Sequence, residues 1–163
     1  MTRGRAPIED GAVERQPSRA PGQQWRSRPP YGRPTVAQVM NRRPPVADQD
    51  TSLWGGWELL RGLDNRHLVV VDRQVRPVGV LEARDLALCW PPGPFDAHRV
   101  PLRQVLSGRA GPQVREEDRV ETVARAMLAT GTDAVPVVDD DGRLVGLVTA
   151  RTCVEIIAGP ATP

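Results

Sequence analysis

Two stretches 67 positions apart decide the fold: His67-Leu68-Val69-Val70-Val71-Asp72 and Ala134-Val135-Pro136-Val137-Val138-Asp139. Each is followed by a turn and a second apolar run centred on glycine. These are Pro77-Val78-Gly79-Val80-Leu81-Glu82-Ala83-Arg84-Asp85 and Leu144-Val145-Gly146-Leu147-Val148-Thr149-Ala150-Arg151-Thr152. Short apolar runs bounded by turn residues read as paired strands. Two copies of one small unit imply a domain with a pseudo-twofold axis, whose functional ground is the cleft between the copies.

Working outward, strands are predicted over 67–72, 76–81, 134–138 and 143–148, each pair leading into a helix, over 82–90 and 149–158. Before the strands, Leu53, Trp57 and Leu60 fall at helical spacing within 51–63. Val120, Val123, Ala124, Met127 and Leu128 do the same, with Asp118 as the expected cap and Gly131 as the stop. Thr35 opens a short helix carrying Val36, Val39 and Met40, and Val105 and Leu106 end its counterpart; short extended pieces at 46–47 and 113–115 complete the pattern. Each unit is thus β-α-β-β-α, too small to bury a core alone and expected to pair with the other. The fold class is α/β (α+β), with residues 34–92 as the first repeat and 93–163 as the second.

Residues 1–33 differ in kind. Seven arginines oppose Glu9, Asp10 and Glu14, a net charge of +4 that leaves −2 for the remainder of a chain whose net charge is +2. Rich in proline and poor in aliphatic periodicity, this stretch is expected to be a disordered basic tail. Its charge suits weak contact with anions, nucleic acid included. All 22 basic residues are arginine, which points to a GC-rich bacterial genome and excludes Schiff-base, P-loop and kinase-type lysine chemistry. No apolar stretch approaches the roughly 18 residues that span a bilayer, and no apolar leader opens the chain. With only Cys89 and Cys153, in no metal or redox spacing, a reducing cytoplasm and buried thiols are expected.

The apolar run closing on Asp139, the acidic turn to Gly142, and Gly146 to Arg151, matched by Leu68 to Asp72 and Gly79 to Asp85, resemble the cystathionine-β-synthase (CBS) domain. Two in tandem resemble its paired form, the Bateman module, over roughly residues 35–158. The resemblance implies a non-catalytic regulatory or sensor module, commonly a homodimer, that binds an adenine nucleotide or related ligand between its halves. AMP, ADP, ATP or S-adenosylmethionine would be regulatory ligands of this kind, and no effector protein is named by the chain.

The family's ligand motif runs, after the glycine and two apolar residues, through Thr or Ser, any residue, a frequent Arg, and Asp. Arg84 and Asp85 match it in the first copy, where Glu82 replaces the hydroxyl residue. Thr149 and Arg151 match it in the second, where Thr152 replaces the acid. The chemistry is sound, because a helix start with Thr or Arg favours a phosphate and a carboxylate accepts from two ribose hydroxyls. Glu82 would oppose a phosphate, and Thr152 offers a single neutral oxygen. Two readings therefore stand: a sensor using Arg84, Asp85, Thr149 and Arg151, or a ligand-free dimerisation and interaction module whose site has eroded. In the second reading Arg84 pairs with Glu82 or Asp85, and Thr149 is only a helix cap.

Other signals are structural. Asp139-Asp140-Asp141-Gly142 places glycine fourth where a calcium loop needs it sixth, and Ala150 stands where the bidentate Glu belongs, so it reads as a hairpin turn. His67 and His98 have no metal-spaced companions, and neither a metal site nor a catalytic residue is assigned. In Trp54-Gly55-Gly56-Trp57 the glycines cost about 1 kcal/mol each in a helix interior. Either they admit a neighbouring helix while Trp57 fills core, or Trp54 and Trp57 form an aromatic partner surface.

Overall fold

The structure, a computed structural model, describes residues 33–62, 66–93, 95–106, 108 and 111–159. The expected basic tail lies outside the described residues save for Arg33. The elements run α1 (Val36–Val39), β1 (Val46–Asp48), α2 (Leu53–Gly62), β2 (His67–Val71), β3 (Pro77–Glu82), α3 (Ala83–Leu88), a 3-10 turn at Asp96–His98, α4 (Leu102–Leu106), β4 (Val114–Arg115), α5 (Val120–Thr130), β5 (Ala134–Val138), β6 (Leu144–Thr149) and α6 (Ala150–Ala158). Two three-stranded sheets result, ordered β1-β2-β3 and β4-β5-β6. In each the first pairing is parallel and the second antiparallel, with Val46 opposite Val69 and Val114 opposite Val137. The two β-α-β-β-α units read from the sequence are present.

The strands form where apolar β-branched residues cluster, and all five residues of β5 are buried. Buried on both faces, it shows no polar alternation. Each hairpin is closed by the aspartate that ends its first strand. Asp72 Oδ1 accepts from the backbone N–H groups of Gln74 and Arg76, at 2.9 and 2.8 Å. Asp139 Oδ1 accepts from Asp141 and Arg143 in the same way, at 3.0 and 2.8 Å. Gly142 in the turn takes a positive φ, 78°. In the first hairpin that position is Val75, with φ 63°. A β-branched residue in the left-handed region is strained by about 1–2 kcal/mol. Val75→Gly is therefore expected to raise stability by roughly 1 kcal/mol after the added freedom of the unfolded chain is deducted, seen as a higher urea midpoint. A lower midpoint would mean that the half-exposed valine side chain contributes more packing than its backbone costs.

The linker helices cross over. Val36 and Met40, which precede the first repeat's sheet, belong to the core of the second, with Val123, Val135, Val137 and Val148. Leu102 and Leu106, which precede the second repeat's sheet, lie in the core of the first with Leu53, Leu68, Val70, Leu81 and Leu86. Backbone bonds fix both crossings: Asn41 and Leu147 exchange N–H···O bonds of 2.9 Å, and Leu102 N–H donates to Thr51 O at 2.9 Å. The glycine at the heart of each second strand is the seat. A Cβ on Gly146 would stand 2.5 Å from Met40 Sδ, and one on Gly79 2.4 Å from Leu106 Cδ2. The repeated glycine of the sequence thus admits the other repeat's linker helix. A third apolar cluster, Val69, Val71, Ala134 and Leu147, joins the two sheets.

Local expectations met mixed outcomes. Gly131 ends α5 at φ 69°, as expected. Asp118 does not cap that helix: Arg119 is the N-cap residue, and Asp118 instead accepts from Arg115 N–H at 2.7 Å while its carbonyl holds Val36 N–H. The arrival of α1 at this corner draws Asp118 into the linker contact. Cys153 is buried, and desolvation pushes its thiol pKa up. Cys89 is exposed, contrary to expectation, because α3 ends one residue before it.

Candidate functional site

The four residues selected from the sequence lie at two equivalent corners, where β3 enters α3 and β6 enters α6. In the first, Glu82 is the N-cap residue of α3 and forms a capping box with Asp85. Asp85 Oδ2 accepts the Glu82 backbone N–H at 2.7 Å. Its other oxygen, Oδ1, has no hydrogen-bond partner among the described residues, and neither does the exposed Arg84 guanidinium. Arg84 therefore pairs with neither Glu82 nor Asp85. Glu82 turns to His67, its cross-strand partner, with Oε1 3.3 Å from Nε2.

The second corner is closed on itself. Thr149 caps α6, its Oγ1 accepting from Thr152 N–H at 3.3 Å and lying 3.1 Å from Thr152 Oγ1. Arg151 Nε donates to Glu155 Oε1 at 2.8 Å, one turn along the exposed face. Among the described residues no bond or ion pair joins Arg84 or Asp85 to Thr149 or Arg151. The structure thus presents two half-sites, one with polar groups that have no partner among the described residues, and one in which Thr149 is held by Thr152 and Arg151 by Glu155.

The profile of the CBS domain matches residues 36–89 and again 109–159, together well over half of the sequence. The chain belongs to the CBS domain family. Its repeats superpose on the CBS domain pair of protein MJ0100 in complex with 5′-methylthioadenosine and S-adenosyl-L-methionine, at 25% identity and a TM-score of 0.66, over 78% of this chain and 98% of that one. The cytosolic domain of the Mg²⁺ channel MgtE in complex with ATP is similar at 26% identity and a TM-score of 0.63, over 76% of this chain and 48% of that one. Among curated relatives, the magnesium transporter MgtE of Thermus thermophilus is 33% identical over 96 residues, 59% of this chain and 20% of that protein. L-aspartate semialdehyde sulfurtransferase of Methanocaldococcus jannaschii is 26% identical over 124 residues, 76% of this chain and 23% of that protein. The CBS pair thus spans about a fifth to a quarter of the length of these two relatives.

Sequence reasoning missed two features. The pairing of His67 with Glu82 was available in principle, because the two are separated as Ala134 and Thr149 are in the second repeat. The second is an aromatic cluster. Trp54 and Trp57 converge on Trp90, with ring centroids 5.9 and 6.0 Å away, and His98 lies over Trp54 at 5.1 Å. With Ala87 the three tryptophans line an open groove of about 300 Å³. The glycines admit a neighbour as expected, Gly56 making room for Leu102, whose Cδ2 lies 2.8 Å from where a Cβ would stand, and Trp54 stays 36% exposed. No helix among the described residues is long and apolar enough to cross a membrane.

Proposed function

We propose that this CBS pair is a non-catalytic regulatory module that binds an adenosine-based ligand at its first half-site. The observation that carries the reading is a pair of groups there with no partner among the described residues, Asp85 Oδ1 and the Arg84 guanidinium, beside a second half-site in which Thr149 is engaged with Thr152 and Arg151 with Glu155. A free carboxylate oxygen accepts a ribose hydroxyl at no cost in broken bonds, whereas Thr149 and Arg151 must first give up partners. Glu82 disfavours a phosphate in the same corner, so affinity should fall as phosphate count rises unless Mg²⁺ is present. The likeness to a pair that holds 5′-methylthioadenosine and S-adenosylmethionine, and to one that holds ATP, supports adenosine as the common element. Likeness to a cytosolic domain also supports a cytoplasmic place. Calorimetric titration of ligand-stripped protein with AMP, ADP, ATP and S-adenosylmethionine tests this, and heats no larger than dilution for all four would overturn it.

A second reading, a dimerisation and partner-docking module, is favoured by a different observation. Leu128 on α5 and Val154 and Ile157 on α6 are 86%, 62% and 69% exposed, and Leu88 on α3 is 75% exposed. Exposed apolar side chains on α5 and α6, which pack against each other, mark an interaction surface. A twofold homodimer through these faces is the expected state. Sedimentation equilibrium at tens of micromolar should give twice the chain mass; a monomer there would refute it. The two readings are compatible, since a dimer surface beside a ligand corner is how binding would be reported. Residues 34–92 and 93–163 are proposed as the two repeats of one ligand-responsive unit.

A further inference from the structure

The first half-site holds a titratable pair that has no counterpart in the second. His67 opens β2 directly opposite Glu82 on β3; its Nε2 lies 3.3 Å from Glu82 Oε1, with the imidazole side chain 14% exposed. The equivalent cross-strand pair in the second sheet is Ala134 and Thr149, neither of which titrates. We infer that His67 is a specificity-determining residue of the first half-site, setting whether Glu82 meets the 5′ end of the ligand as a bare or a neutralised negative charge. The inference rests on the first half-site being the one that binds.

A carboxylate at the corner where a 5′ substituent would sit repels a phosphate and is indifferent to a thioether. Neutral imidazole leaves that repulsion in place, whereas imidazolium at this distance cancels most of it. Among the described residues, the charged groups next to this pair in the chain are Arg66, beside His67, and Arg84 and Asp85, which follow Glu82 on the first turn of α3. On the far side of His67, β1 begins at Val46 opposite Val69 and puts no residue opposite it. Of these side-chain types only imidazole ordinarily changes charge across the neutral range. A nucleoside with an uncharged 5′ end should then bind equally across that range, and a 5′-phosphate should bind well only on its acidic side.

The test is calorimetric titration of the full chain with AMP and with 5′-methylthioadenosine, at about pH 5.5 and about pH 8, either side of the imidazole range. Wild type, His67→Ala and Glu82→Thr are compared. Both substitutions install the residue that the second repeat carries at the same place, so the fold has a precedent for each. The second ionisation of AMP falls in the same pH range, and comparing variants at each pH removes it. In wild type, AMP affinity should fall on raising the pH by about tenfold more than in His67→Ala, the effect of roughly one unit charge at a partly solvated site. Glu82→Thr should bind AMP more tightly at the higher pH, and 5′-methylthioadenosine should bind all three alike. If wild type and His67→Ala respond to pH identically, or Glu82→Thr leaves AMP affinity unchanged, the inference is overturned while the binding site stands. If neither ligand binds wild type at either pH, the half-site reading fails and the inference with it.

Discussion

Leu102→Ala is expected to lower the free energy of unfolding by about 2–5 kcal/mol, as buried leucine truncations do when the surroundings relax only in part. Leu102 is fully buried, and its Cδ2 lies over Gly56, near Leu68. The void would open at a point where three segments meet, the linker helix α4, α2 and β2, so no single element can move in to fill it. Against a typical total of about 5–15 kcal/mol this is a large fraction. Urea unfolding followed by far-ultraviolet circular dichroism should show a lower midpoint at unchanged slope. A loss below about 1 kcal/mol would mean that α4 is not seated on the first repeat.

The second large effect is on ligand affinity. Asp85→Ala should weaken binding by about 1.5–3 kcal/mol, or roughly 10- to 150-fold, the worth of a charge-assisted hydrogen bond. Thr149→Ala should change it little, because that hydroxyl is engaged with Thr152 in the other corner. Asp85 also holds the Glu82 N–H at the start of α3. Its removal should cost about 0.5–2 kcal/mol of stability as a lost cap, which a parallel melt separates from the binding effect. Asp85→Asn keeps a cap acceptor and loses the charge, so it should recover stability without recovering affinity. Unchanged affinity in Asp85→Ala together with loss in Thr149→Ala would place the ligand in the second half-site.

The repeats were legible because strand period, turn chemistry and the spaced glycines agree with one another and recur in register in the two copies. Both hairpins, with Asp72 and Asp139 closing them, follow from local chemistry that needs no tertiary contact. What the sequence could not show is the crossing of the linkers. Val36 and Leu102 are apolar residues in short helices, and nothing local distinguishes a seat on the nearer sheet from one on the farther. That choice is made by shape, through Gly79 and Gly146. The corners were legible as motif positions, yet their engagement was not. That Arg84 has no partner among the described residues while Arg151 is bound turns on Glu155 lying one helical turn beyond Arg151, and on Glu82 being paired with His67.

The crossing also sets an order of events during synthesis. Val36 leaves the ribosome early, but Val148, against which its core is built, follows 112 positions later. At roughly 5–20 residues per second that interval is on the order of 5 to 20 s. Over that time the apolar side of α1 has no native place to go. The first repeat has a shorter wait, since its core closes once Leu102 and Leu106 emerge. The first repeat's core should therefore close before α1 is anchored, and β6, the last strand of the two repeats, is the one that receives α1.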